Sequence, residues 1–155
     1  MNMKKSTHVL GIAGSISLLF VLGVFLAMMG PLVTWAGEGW TVYDWTFGNQ
    51  ALQATANGGM ITAFILTIIA AVVILLSLAF SWGKGSHKFA GFFYMVGAVL
   101  AIVAGILLFL GRQMIGDFLP GQANYSLSYG AILAACLNIV GGLISGVFGF
   151  LAFKK

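Results

Sequence analysis

The sequence predicts an all-α membrane protein: an antiparallel bundle of four transmembrane helices, both termini cytoplasmic, under a small extracellular cap with room for a short hairpin. Three observations predict it. Only 6% of the 155 residues are charged and 61% are hydrophobic, whereas a soluble domain carries about a quarter charged residues. Four apolar runs, Leu10–Thr34, Met60–Phe80, Phe89–Leu110 and Ala131–Phe153, exceed the ~18 residues that cross a hydrocarbon core. If those runs alternate in direction, Lys4, Lys5, Lys84, Lys88, Lys154 and Lys155 fall on one side and Arg112 alone on the other. That asymmetry is the positive-inside pattern of a cell-membrane protein. The runs leave no length for a separate soluble domain, so residues 1–155 read as one integral membrane domain.

The first run follows Lys4-Lys5 and ends in "VTWAG", which would suit signal cleavage after Ala36. Its length of about 25 residues exceeds the roughly 7–15 of a signal core, so it is expected to remain as the first span. Gly30-Pro31 lies near its outer end, and the proline should kink the helix or end it early. Next comes "GEGWTVYDWTFGNQ", which holds two of the three acidic residues and two of the four tryptophans. Its aromatic and β-branched residues allow a short strand or hairpin. Trp40, Tyr43, Trp45 and Phe47 could equally form an aromatic cap over the bundle. Exposed Trp and Tyr beside an acid are also typical of binding hot spots, so Trp40, Tyr43, Asp44 and Trp45 are candidate partner contacts. "NQALQATANGG" then leads into the second span as a polar helical approach.

Between the second and third spans, "SWGKGSHK" is short enough to force a hairpin, with Gly83 and Gly85 giving the turn its freedom. Trp35 and Trp82 stand at span ends, where indole rings settle at the headgroup level. After the third span, "GRQMIGDFLP" is amphipathic as a helix. It sets Arg112, Gln113, Gly116 and Asp117 against Met114, Ile115, Phe118 and Leu119, and Pro120 ends it. Asn124-Tyr125-Ser126 fits the glycosylation pattern.

The fourth span carries the sharpest pattern. At 100° per residue, Ala131, Ala134, Ala135, Asn138, Gly141, Gly142, Ser145, Gly146, Gly149 and Ala152 fall within roughly 140°. Bulky residues fill the opposite arc. Apolarity alone cannot drive helices together in lipid, so a small-residue face works by letting backbones approach. The third span repeats the device through Ala90, Gly97, Ala101, Ala104 and Gly105, interrupted by Phe93, Tyr94 and Leu108. The second clusters Gly59, Ala63, Thr67, Ala70, Ala71 and Ser77. The first has glycines without a clear face. Gly97, Ala101, Gly105, Asn138, Gly142, Gly146 and Thr67 are therefore the candidate helix-packing residues, either within one bundle or between subunits. Asn138 and Thr67 lie at the same depth, which predicts a hydrogen bond between them or from Asn138 to a backbone carbonyl. Tyr94 should similarly meet Ser15 or Ser77.

Several chemistries lack their residues. No span contains Asp, Glu, Lys, Arg or His deep within it, the usual mark of an ion or proton path. No nucleophile–base set, phosphate loop or cofactor motif is present, so an enzyme is not expected and no cofactor or metal is implied. The pI of about 9.5 comes from lysines spread along one membrane surface, where they suit anionic lipid and not nucleic acid. His8 and His87 lack a second ligand at metal spacing. Cys136 has no partner cysteine and sits mid-span, where packing is its expected role.

The Lys-Lys start into "VLGIAGS", the basic turn into "KFAGFFYMVGAVLAIVAGILLFL" and the glycine-rich last span ending "FLAFKK" resemble the small uncharacterised four-span membrane proteins of Gram-positive bacteria. That resemblance implies a topology and no activity. The layout is also similar to claudin-like tetraspans, with "WAGEGW" resembling their outer-loop signature. The cysteine pair of that signature is absent here, which argues against a claudin-like sheet and a paracellular role. The expected function is a non-enzymatic assembly or accessory subunit, or a self-associating one, working through small-residue faces and the aromatic cap. A small-solute or ion transporter, with its pore formed between subunits, is the alternative.

Overall fold

A computed structural model describes residues 3–35, 38–50, 55–82, 87–115 and 126–154, with side chains described from His8 onward and not at 34, 35, 38 and 39. The elements run α1 (Met3–Ala27), β1 (Pro31–Trp35), β2 (Glu38–Thr41), α2 (Val42–Phe47), α3 (Gly58–Trp82), α4 (His87–Phe109), α5 (Gly111–Ile115), β3 (Ser126–Leu127) and α6 (Tyr129–Phe153). The chain is mostly helical, and α1, α3, α4 and α6 are long and apolar enough to cross a membrane. This is the architecture of a multi-pass membrane protein.

The first apolar helix ends at Ala27, not at Thr34 as the hydropathy suggested. The cause is Gly30-Pro31. Proline has no N–H to extend the helical ladder, and it disfavours helical geometry in the residue before it. The last turn tightens, with Met29 N donating to Leu26 O and Gly30 N to Ala27 O. Pro31 then opens a strand, one of the few sheet positions where its missing donor costs nothing.

A small sheet forms, so the protein is not purely α. Its strand order is β2-β1-β3, and both pairings are antiparallel. The hairpin is β1–β2, with Val33 opposite Trp40 and Trp35 opposite Glu38. Only β2 enters the stretch whose composition allowed a strand or hairpin, β1 coming from residues read as the end of the first span. The third strand comes from the segment between α5 and α6, pairing Val33 with Leu127. The missing cysteine pair therefore does not prevent a sheet here. Backbone bonds hold it to the helix ends instead: Val42 N donates to Gly30 O at 3.0 Å and Ser128 N to Leu32 O at 2.7 Å.

The aromatic stretch "WTVYDWTF" changes structure within itself. Trp40 and Thr41 finish β2, and Val42–Phe47 is helical. Thr41 and Asp44 decide the switch by a reciprocal capping box: Asp44 N donates to Thr41 Oγ1, and Thr41 N donates to Asp44 Oδ2. Gly48, at φ 84°, ends the helix in a backbone region that side chains disfavour.

The four long helices form a ring in which α1 touches α3 and α6, and α4 touches α3 and α6, the α4–α6 seam being the most extensive. The interior combines many small residues with a few large ones, Tyr94, Met60, Ile74 and Leu108 among them, and the exterior carries large apolar residues such as Leu19, Leu26, Phe89 and Val147. The approach to α3 is not helical at residues 55–57, and 51–54 lie outside the described residues. Also outside them are the Gly83–Gly85 turn with Lys84, the segment from Gly116 through Pro120, and Asn124 with Tyr125.

Candidate functional site

Two regions gather the residues singled out from the sequence: the bundle interior and the cap. In the interior, every small residue of the fourth-span face is buried except Gly146, which is half-buried. Gly142 meets α4 so closely that an added Cβ would lie 2.9 Å from Ala98 O. Gly105 stands in the same relation to Ala135 O, also at 2.9 Å. Gly91 faces Gly149 O, and Gly149 faces Gly91 O. Gly97 belongs to the other seam of α4, against Ile74 of α3. Ala101 is fully buried between them. Gly97, Gly105, Gly142 and Gly146, among the packing residues expected from the sequence, thus line two seams of one bundle.

The glycines of α1, which show no common face, each accommodate a particular large side chain. Gly11 makes room for the Trp82 indole, Gly14 for the Tyr94 hydroxyl and Gly23 for Leu137. Outside the bundle proper, Gly30 and Gly130 lie backbone to backbone, a Cβ on Gly30 falling 2.9 Å from Gly130 Cα.

Helices that are not neighbours in the ring meet through polar side chains. Asn138 Nδ2 on α6 donates to Thr67 Oγ1 on α3 at 3.0 Å, the bond expected from their common depth. Thr67 in turn donates to Ala63 O at 2.9 Å, so the amide must act as donor. Asn138 Oδ1 is buried and finds no donor among the described residues. Tyr94, on the other diagonal, reaches Leu10 O of α1 at 3.5 Å. It does not meet Ser15 or Ser77, whose hydroxyls turn back to Gly11 O and Val73 O of their own helices. Two further serines stitch adjacent helices: Ser17 donates to Gly141 O at 2.7 Å and Ser145 to Tyr94 O at 2.8 Å. Each of these two satisfies its hydroxyl on a carbonyl of a neighbouring helix, which suits a bundle without internal solvent.

In the cap, the four candidate contact residues have distinct surroundings. Trp45 is 4% exposed and packs with Val42, Leu32, Met60 and Ile115, so it offers almost no surface to a partner. This corrects its reading as a contact residue: α2 turns its indole inward against the bundle. Trp40 is half-buried and sits edge-on to Trp45 at 6.1 Å. Tyr43 donates to Phe25 O at 2.9 Å, tying α2 to the last turns of α1. Asp44 is engaged at both oxygens, by Thr41 at Oδ2 and by Asn49 Nδ2 at Oδ1. The Thr41 hydroxyl, ahead of the opposing effect of burial, holds the Asp44 carboxyl below its usual range. Phe47 is 54% exposed, although its ring edge meets Phe64 at 5.1 Å.

Asn57 escaped the sequence reading and is central to this end of the molecule. Its Oδ1 accepts from Gly59 N and Met60 N, capping α3, and its Nδ2 donates to Met114 O of α5. Asn immediately before Gly-Gly and an apolar run is a helix-start signal that could have found it. In α5, Arg112 and Gln113 are exposed while Ile115 is buried, the amphipathic division expected of that segment's first turn.

No known family model, characterised protein or solved structure matches the chain. Among the described residues, no group of three His, Cys, Asp or Glu side chains could hold a metal ion. Cys136 is exposed on the outer surface of α6.

Proposed function

We propose that this chain is a non-enzymatic assembly or accessory subunit of the cell membrane. Its four spans run antiparallel, the termini lie in the cytoplasm, and the cap faces outside. The contact order along the α4–α6 seam supports the antiparallel arrangement, since Gly91 meets Gly149, Ala98 meets Gly142 and Gly105 meets Ala135. The lysine asymmetry supports the orientation. The resemblance to Gram-positive four-span proteins agrees with both.

The observation that carries the assembly reading is the construction of the cap. Strands from two separate outer segments pair with each other, and α2 is capped, bonded to α1 through Tyr43 and anchored inward by Trp45. A platform tied down at that many points is preorganised, which lowers the ordering cost of binding. On it, Phe47 and the half-buried Trp40 and Tyr43 remain accessible. Small-residue faces occupied inside the bundle leave the cap as the place where a partner subunit, or a second copy, would engage.

Native mass spectrometry of the protein taken from its own membrane tests this. The expected result is a stable complex that Trp40→Ala with Phe47→Ala dissolves while the unfolding temperature stays near that of wild type. A bare monomer under the mildest extraction, with no loss on substitution, refutes the reading and directs attention to solute flux.

A further inference from the structure

The α4–α6 seam does not close on its outer side. Ile102, Leu143, Gly146, Val147, Phe150 and Leu151 line an open apolar groove of about 390 Å³ there. Gly146 forms part of its floor, with only Ala98 Cβ close to where a side chain would begin. At one end of the groove stands a cation. Lys154 Nζ lies 5.7 Å from the centre of the Phe150 ring, one of the groove's walls.

Lys154 also continues the groove's stripe on α6, seven residues beyond Val147 and eleven beyond Leu143, which at 3.6 residues per turn returns to nearly the same face. Lys88 does the same on α4, fourteen residues before Ile102 and therefore about four turns down a closely similar face. Both lysines are exposed. The helix ends that carry them are adjacent, because Gly91 lies against the backbone of Gly149 and Phe153. The first turn of α4 contributes the positive end of its dipole and holds no acidic side chain. The chain's acidic residues, Glu38, Asp44 and Asp117, all belong to the outer segments.

We infer that this groove is a binding site for one anionic phospholipid, its acyl chain lying along Val147 and Gly146 and its phosphate between Lys154 and Lys88. The inference rests on the reading of the chain as a membrane protein and is independent of the assembly role. Charge complementarity selects the occupant. A second copy docked symmetrically here would set Lys154 beside its own counterpart, and like charges oppose that contact. An acidic soluble peptide could meet the lysines but would leave the groove, which runs up the apolar span, uncovered.

The test is native mass spectrometry of the purified full chain in a neutral detergent, titrated with phosphatidylglycerol or with phosphatidylcholine of identical acyl chains. A lysine near an anionic lipid surface contributes about a fivefold preference, so phosphatidylglycerol adducts should form with a clear advantage over phosphatidylcholine. Lys88→Gln with Lys154→Gln should erase that advantage while leaving phosphatidylcholine adducts unchanged. Val147→Trp, at an exposed position that cannot disturb the core, should reduce adducts of both lipids. Equal adducts of the two lipids in the wild type overturn the inference, as does a preference that survives the double substitution. Inorganic phosphate or glycerol phosphate matching the intact lipid would show that the groove takes no part, and a dimer without lipid would show the wrong occupant. Failure to bind either lipid overturns the inference and leaves the membrane reading, which rests on the four apolar helices, untouched.

Discussion

The α4–α6 seam and the cap bury different kinds of side chain. Along the α4–α6 seam most buried residues are glycine, alanine and serine, with Asn138, Tyr94 and Leu108 the larger exceptions, and the backbones nearly touch. In the cap the buried residues include Trp45, Val42, Leu32 and Val33, joined by a capping box and by helix-end carbonyls. Lipid tails are as apolar as leucine, so large side chains gain little by turning inward from them, whereas close backbone approach gains dispersion contacts. Beyond the spans water is displaced on burial, and an indole gains far more there. Substitutions that enlarge a residue should therefore damage the α4–α6 seam most, and those that shrink one should damage the cap most.

The strongest test of that contrast is Gly142→Leu, or Gly130→Ala where the chain leaves the cap for α6. At both positions the atoms in the way include backbone carbonyls, Ala98 O and Pro31 O. Overpacking typically costs about 1–3 kcal/mol and more where backbone must move, so a large fall in unfolding temperature in detergent is expected. An unchanged temperature would break the comparison at its firmest point. The counterpart in the cap is Trp45→Ala. Truncating a buried tryptophan typically costs about 3–5 kcal/mol, and hydrogen exchange should localise the loss to α2 and the sheet while α6 stays protected.

Smaller effects sharpen the picture. Thr41→Ala should cost about 1 kcal/mol, the usual worth of an N-cap, read as faster exchange of the α2 amides. Because the folded Asp44 carboxyl titrates below its unfolded value, its contribution is complete above a pH of about 4 and is lost as pH falls through the depressed folded value. Acidification to that range should loosen α2 and leave the spans unaffected, and Asp44→Asn should remove this pH dependence. In the bundle, a double-mutant cycle between Asn138→Ala and Thr67→Val should give a coupling of about 0.6 kcal/mol and no more than ~2. Gly146→Ala should be nearly silent, since its Cβ would stand 3.3 Å from the Ala98 methyl and otherwise face the groove.

Much of the bundle was legible before any coordinates. The small face of the fourth span matches the buried face of α6 at every position but Gly146, because a period of 3.6 is a local property of one helix. The Asn138–Thr67 bond was legible because depth in a span can be counted from either end. The cap was less so. The strand-like composition of "WTVYDWTF" obscured a helix whose only signal is Thr41 three residues before Asp44. The end of α1 was misjudged because mean hydropathy does not distinguish "PLVTW" as strand from the same residues as helix. Tyr94 and the glycines of α1 could not be paired at all, since Gly14 and Tyr94 are distant in sequence and only docking brings them together.

The sequence by itself determined that four long apolar helices exist, where all but α1 lie to within a few residues, and which face of α6 is small. A segment surrounded by hydrocarbon must satisfy its own backbone, so length and apolarity suffice to specify a helix. Tertiary structure alone decided that α4 and α6 share the main seam, that Tyr94 reaches α1 at Leu10, and that strands from the two segments at the cap end close into one sheet. Those outcomes depend on shape matching between surfaces far apart in the chain, where one large side chain and one distant glycine must arrive at the same place.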